Sequence, residues 1–166
     1  YTGKAWGTSR KRSQEKFWLA ILHNPKEEMP PSNKGALENF VRVAKKHNVY
    51  TDLITKEDLS SLLEYEALFI RETTQIDHHT YRFARRAVAK NLVAIDDPES
   101  ILKCTNKVFL AELLHKHRLL IPRTVIVHRA NADQLAATLG FPCIVKQPDS
   151  SFSQGVYKVE NEGELR

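Results

Sequence analysis

Cysteine and glycine are both scarce in this chain of 166 residues, with two of the first and six of the second. Cys104 and Cys143 stand far apart in unlike surroundings, one ending a short helical stretch and one inside an apolar strand. Neither a disulfide framework nor a metal site is suggested by them, and a reducing cytoplasm is the default compartment. No apolar run approaches the roughly 18 residues that a membrane span needs, and no secretion signal is visible. Neither of the glycine fingerprints for phosphate, G-x-x-x-x-G-K or G-x-G-x-x-G, occurs. An initiator methionine is also missing, and Asn161 to Arg166 reads as the first turn of a helix, so the expectation is a fragment of something longer.

What is present fits an ordinary soluble domain: 42% apolar and 27% charged residues, with a formal net charge of +5. Much of the excess is local. Lys4, Arg10, Lys11, Arg12 and Lys16 face only Glu15 in the first sixteen residues, which read as a basic linker. That segment lacks the interleaved aromatics of a base-stacking surface, so nucleic acid is not an expected partner.

Hydrophobic patterning predicts an α/β organisation. Phe17 to Leu22 is a short continuous apolar run of the kind buried on both faces of a parallel sheet. Ser32 or Asn33 then caps a helix to about His47, with Leu37, Phe40, Val41 and Ala44 on one side. Val49 to Ile54 is a second strand, Lys56 to Leu63 a short helix and Ala67 to Arg71 a third strand. Asp77 caps a helix to about Lys90 that buries Tyr81, Ala84 and Val88, and Leu92 to Ile95 supplies a fourth strand. Four strands separated by helices predict a parallel sheet with right-handed crossovers and helices on both faces. Ligands of such sheets gather beyond the carboxyl ends of the strands, here His23-Asn24, Thr55, Arg71-Glu72-Thr73 and Asp96-Asp97.

Asp97, Pro98 and Glu99 make a strong helix start and mark a boundary near Asp97. Thr105 is expected to cap a helix from Asn106 to about His117, with Lys107 in its first turn, where a cation opposes the helix dipole. Thr124 to Val127 alternates as a strand. Asn131 with Gln134 starts a helix that Gly140 stops, and Cys143 to Lys146 is another strand. Beyond it, Ser150, Ser151 and Ser153 lead to Gly155 and a strand from Val156. Lys146 with this Ser-rich turn is either a phosphate clamp, offering charge, hydroxyls and backbone N–H groups, or a polar hairpin loop with an exposed lysine.

Together these stretches resemble the ATP-grasp superfamily, in the branch of RimK and glutathione synthetase. The resemblance runs over DDPESILKCTNK with Lys107, IPRTVIV, FPCIVKQ with Lys146, SSFSQGV in place of the family's glycine-rich loop, and EYEALFIRETT at the end of its preceding domain. It implies a Rossmann-like pre-ATP-grasp domain over residues 17–97 and a partial α+β small lobe over 98–166. It also implies that Lys107, Lys146 and the turn from Ser150 through Ser151 and Ser153 to Gly155 bind ATP. Arg71 is the candidate grip for a substrate carboxylate, or else a strand-end arginine paired with Glu72 or Glu66. The implied reaction joins a carboxylate to an amine through an acyl phosphate, among its forms the addition of an amino acid to a peptide or protein. ATP and Mg2+ are implied as cofactors, with the metal ligands and the catalytic residues beyond Arg166, so the fragment alone should not catalyse. A small carboxylate or a peptide is the implied partner, no membrane is, and a homo-oligomer is compatible with the resemblance. The alternatives are a non-catalytic ligand-binding module of the same fold, and a nucleic-acid binder using Arg10 to Arg12 with Arg82, Arg85 and Arg86.

Overall fold

The computed structural model describes residues 16–131, 134–150 and 154–165. Strand β1, Phe17–Leu22, lies at the centre, and three successive side chains, Ala20, Ile21 and Leu22, have no exposure at all. Successive residues of a strand point to opposite faces, so this pattern requires cover on both. Strands β2, Val49–Ile54, and β3, Ala67–Ile70, flank β1, and β4, Val93–Ile95, is added outside β3. All pairings are parallel, in the order β2-β1-β3-β4. Each crossover is helical: α1, Lys34–Lys46; a 3-10 segment, Lys56–Glu64; and α2, His79–Ala89.

One face of the sheet carries the larger core. Ala20, Leu22, Ile54, Leu62, Leu68 and Ile70 pack against Phe83, Ala84 and Ala87 of α2, and Ile101 of α3, Pro98–Thr105, joins them. The other face meets α1 through Leu37, and Phe40 sits edge-on to Phe69 at 5.1 Å between ring centroids. The expected parallel α/β layer is therefore the architecture observed.

The buried face of α2 differs from the periodicity-based expectation. Thr80, Phe83, Ala84 and Ala87 are buried, while Val88 is 46% exposed and Tyr81 only partly covered. Arg82, Arg85 and Arg86 are exposed as expected. Phe83, the largest fully buried side chain, selects the face that meets the sheet. Two caps also shift by one residue. His78 rather than Asp77 is the N-cap of α2, and Asn106 rather than Thr105 caps α4, Lys107–Lys116, by accepting from the Phe109 N–H at 3.0 Å. Thr105 instead closes α3, donating its hydroxyl to the Ile101 carbonyl at 2.8 Å.

Beyond α4 the chain forms α5, Leu135–Leu139, an antiparallel hairpin of β5, Cys143–Lys146, with β6, Val156–Val159, and the short α6, Glu162–Leu165. Gly140 follows α5 at φ +75°, the left-handed stop that glycine adopts without a Cβ penalty. The expected strand at Thr124 to Val127 is not formed. Among the described residues the second sheet has only β5 and β6, so this segment has no ladder partner, and Ile126 and Val127 remain exposed.

If Phe83 anchors the core as the packing indicates, Phe83→Ala lowers unfolding stability by about 3–5 kcal/mol, whereas Val88→Ala costs about 1 kcal/mol or less. Urea denaturation of both variants measures this, and equal losses would contradict the observed orientation of α2.

Candidate active site

The strand ends set the site's first wall. The β1 ladder continues past the strands, with the His23 N–H bonded to the Ile54 carbonyl at 2.9 Å and the Arg71 N–H to the Leu22 carbonyl at 2.8 Å. Arg71, Glu72 and Thr73 thus leave the sheet in a fixed frame. They line a cleft of about 900 Å³ together with Ser100 of α3, Lys107 of α4 and Ser150 of the turn after β5. Asp97 fixes the near end of α3: its carboxylate accepts from the Glu99 and Ser100 N–H groups and the Ser100 hydroxyl. Those bonds, the Ser100 hydroxyl first, hold its pKa below the usual carboxylate value.

Arg71 is committed to a loop. Its Nε donates to Ser32 Oγ at 2.7 Å and one terminal nitrogen donates to the Pro31 carbonyl at 2.8 Å, while the guanidinium lies over the Phe40 and Phe69 rings. Neither Glu66 nor Glu72 pairs with it among the described residues; Glu66 instead accepts the Trp18 N–H at 2.6 Å. Arg71 therefore ties the loop before α1 to the end of β3 and reaches the cleft from that anchored position.

Lys107 is held just as firmly. Its backbone N–H bonds the Pro148 carbonyl at 2.9 Å, and its ammonium donates to the Ser150 carbonyl, to Ser150 Oγ at 3.1 Å and, at 3.4 Å, to the Pro148 carbonyl. Beside it the Asn106 amide donates to Asp149 at 2.7 Å. The first turn of α4 and the turn after β5 are thereby one unit. The unfavourable placement of a cation at a helix start is offset by these carbonyl oxygens.

Lys146 ends β5, is exposed, and pairs in register with Val156. Gly155 accepts the Gln147 N–H at 3.0 Å with φ +62°, and a Cβ there would lie 2.5 Å from the Gln147 side chain. Lys146 and Gly155 thus belong to the hairpin carrying Ser150 but are not among the residues lining the cleft. Ser151 and Ser153 lie outside the described residues, as do Arg10, Lys11 and Arg12 of the basic lead.

Patterning placed Glu72 among the strand ends but did not join it to His78 and His79. Glu72 is only 4% exposed, yet it is a carboxylate, and its Oε2 lies 2.5 Å from Nε2 of His79. The His78 ring lies against that of His79 with centroids 3.8 Å apart, and its Nδ1 contacts Thr80 Oγ1 at 3.1 Å. Burial pushes the Glu72 carboxyl up to about 7, opposed by His78 and reinforced by Glu27. Burial also lowers the pKa of both imidazoles, with repulsion from His79 adding for His78 and Lys56 adding for His79. The available signal was an acidic residue directly after an apolar strand, followed by adjacent histidines at a helix start.

No family model matches the chain. Among curated proteins it is 34% identical over 73 residues to the alpha-aminoadipate–LysW ligase LysX of Sulfolobus acidocaldarius, covering 43% of this chain and 26% of that protein. To LysX of Saccharolobus solfataricus it is 29% identical over 108 residues, covering 57% of this chain and 39% of the relative. The chain thus matches well under half the length of these relatives. Among solved structures, a RimK domain ATP-grasp protein of Sphaerobacter thermophilus superposes with TM-score 0.67 at 13% identity, over 89% of this chain and 55% of that one. D-alanine–D-alanine ligase of Bacillus anthracis gives 0.64 at 14% identity, over 90% of this chain and 51% of the other. The mixed α/β architecture is the one these structures share with this chain.

A carboxyl whose folded pKa exceeds its unfolded value holds its proton longer in the folded state, so its contribution to stability declines as pH rises from about 4.5 to about 7. Glu72→Gln removes that titration. With a chelator present, the stability of Glu72→Gln relative to the unchanged chain therefore rises across that window and levels off above it; a pH-independent difference in thermal unfolding would contradict the carboxyl's raised pKa.

Proposed function

We propose, from the premise that this is an ATP-grasp chain of the RimK-like kind, that its parent protein is an ATP-dependent carboxylate–amine ligase and that this chain supplies the pre-ATP-grasp layer with part of the small nucleotide lobe. The observation that carries the reading is the docking of Lys107 into the turn at Pro148 to Ser150, in a cleft that Arg71 and Thr73 also line. The division near Asp97 and the assignment of residues 98–166 to the lobe belong to the same proposal.

In this reading the carboxylate of a small molecule or peptide enters beside Arg71, and ATP lies under the hairpin of β5 and β6. The carboxylate oxygen attacks the terminal phosphorus and ADP departs; an amine then attacks the acyl carbon, loses a proton to solvent and releases phosphate. Lys146 and Lys107 offset charge on the phosphates, each charge-assisted hydrogen bond contributing on the order of 1.5–3 kcal/mol. Lys107 does so by exchanging its carbonyl partners at Pro148 and Ser150 for phosphate oxygens, which couples nucleotide binding to the position of the turn. Ser150, Ser151, Ser153 and Gly155 close over the phosphates and exclude water.

Magnesium favours near-octahedral oxygen ligation. The metal-competent grouping among the described residues, Glu72 with His78 and His79, brings two imidazoles and does not fit it. The magnesium that accompanies ATP is assigned no ligand in this chain, and turnover is assigned to the parent rather than to these residues alone. Cysteine usage favours a cytoplasmic parent, and no helix among the described residues is long and apolar enough to cross a membrane.

The parent protein is expected to release ADP from ATP only with magnesium and a carboxylate substrate, while the 166 residues alone do not. Lys146→Ala abolishes nucleotide binding measured by calorimetry; unchanged ATP affinity in that variant would overturn the assignment.

A further inference from the structure

Glu72 presents an imbalance that its neighbours leave unresolved. Its side chain is 1% exposed, Oε2 is taken by His79, and Oε1 has no hydrogen-bond partner among the described residues. Glu27, which pins Thr73 through Oε1, likewise leaves a buried Oε2 unpartnered, and it lies near enough to raise the Glu72 pKa. An ordinary Glu72–His79 ion pair would satisfy one oxygen and leave both of these. Buried carboxylate oxygens that lack a donor are places where an ordered water, a proton or a cation fits.

The surrounding donors select the kind of cation. One carboxylate oxygen of Glu72 and one ring nitrogen from each of His78 and His79 lie within 4.8 Å of one another. Two imidazoles and a carboxylate suit zinc and its borderline neighbours, with a further position for water or substrate; magnesium and calcium prefer all-oxygen shells. The contact of His78 Nδ1 with buried Thr80 Oγ1 is the outer bond that typically fixes a ligating ring. The start of α2 is electropositive, which disfavours a cation, but the Glu72 and Glu27 carboxylates oppose that field.

We propose that Glu72, His78 and His79 form a binding site for one divalent transition ion of the zinc or cobalt kind where the end of β3 meets the start of α2. Loading the ion replaces the hydrogen bond between His79 Nε2 and Glu72 Oε2 by bonds to the metal, with the His79 ring proton carried on Nδ1. Of the three ligands only Glu72 lines the cleft, and His78 and His79 lie outside its lining. The site itself stands on the donor geometry and does not require the ligase reading.

The test is titration of the metal-stripped 166-residue chain with Co2+, followed by visible absorption. The expected result is a ligand-field band that saturates at one equivalent, is displaced by Zn2+ and persists in roughly hundredfold excess of Mg2+. Glu72→Gln, His78→Asn and His79→Asn should each weaken binding roughly tenfold or more, and His117→Asn should leave it unchanged. Zn2+ should also raise the melting temperature of the unchanged chain and not that of His78→Asn or His79→Asn. These two partly exposed positions keep the test decisive if Glu72→Gln does not fold. Absence of the band, displacement by Mg2+, or unchanged Co2+ affinity in both folded histidine variants would overturn the proposal.

Discussion

The parallel ladder around β1 is the constraint on which the other features depend. Because β1 is hydrogen-bonded on both edges and buried on both faces, Leu22 is matched simultaneously to Ile54 and Ile70. That register brings three strand ends to one level, and the residues immediately beyond them are delivered together. Arg71, Glu72 and Thr73 are polar residues with little freedom to retreat into solvent. Their positions follow from backbone hydrogen bonds before any side chain is considered.

From that level, two different solutions to buried charge appear side by side. Arg71 commits its donors to Ser32 and Pro31 and rests its planar group on two aromatic rings, so its desolvation is offset by bonds and stacking. Glu72, its neighbour in sequence, has one oxygen that finds no donor among the described residues. The chain bends at Glu72, just beyond the end of β3, and the two adjacent residues enter different surroundings. The cleft wall formed by Lys107 and Ser150 obeys the first pattern, since the ammonium is matched by carbonyl and hydroxyl oxygens of a single turn.

Much of the layer was legible in the chain. Short runs rich in apolar and β-branched residues, separated by amphipathic stretches, identify β1 to β4, although only β1 and β3 are largely buried. Local chemistry likewise identifies the cap at Asp97 and the stop at Gly140, where one side chain or one backbone angle suffices. The caps at His78 and Asn106 stand one residue from their expected places; Asn106 caps through its side chain, whereas His78 takes the position by backbone conformation alone. Thr105 bonds back to Ile101 instead. Thr124 to Val127 has strand-like alternation, but a strand requires a neighbouring edge, and alternation cannot supply one.

Periodicity, turn chemistry and motif order were enough for β1 to β4, for the helical segments between them and for the places of Lys107, Lys146 and Arg71 along the chain, because each of these is a local property. Three outcomes needed the folded molecule: which face of α2 is buried, the anchoring of Arg71 and Lys107 by distant loops, and the meeting of Glu72 with His78 and His79. They depend on contacts across the fold, where burial and the supply of partners, rather than residue type, fix what a charged group does.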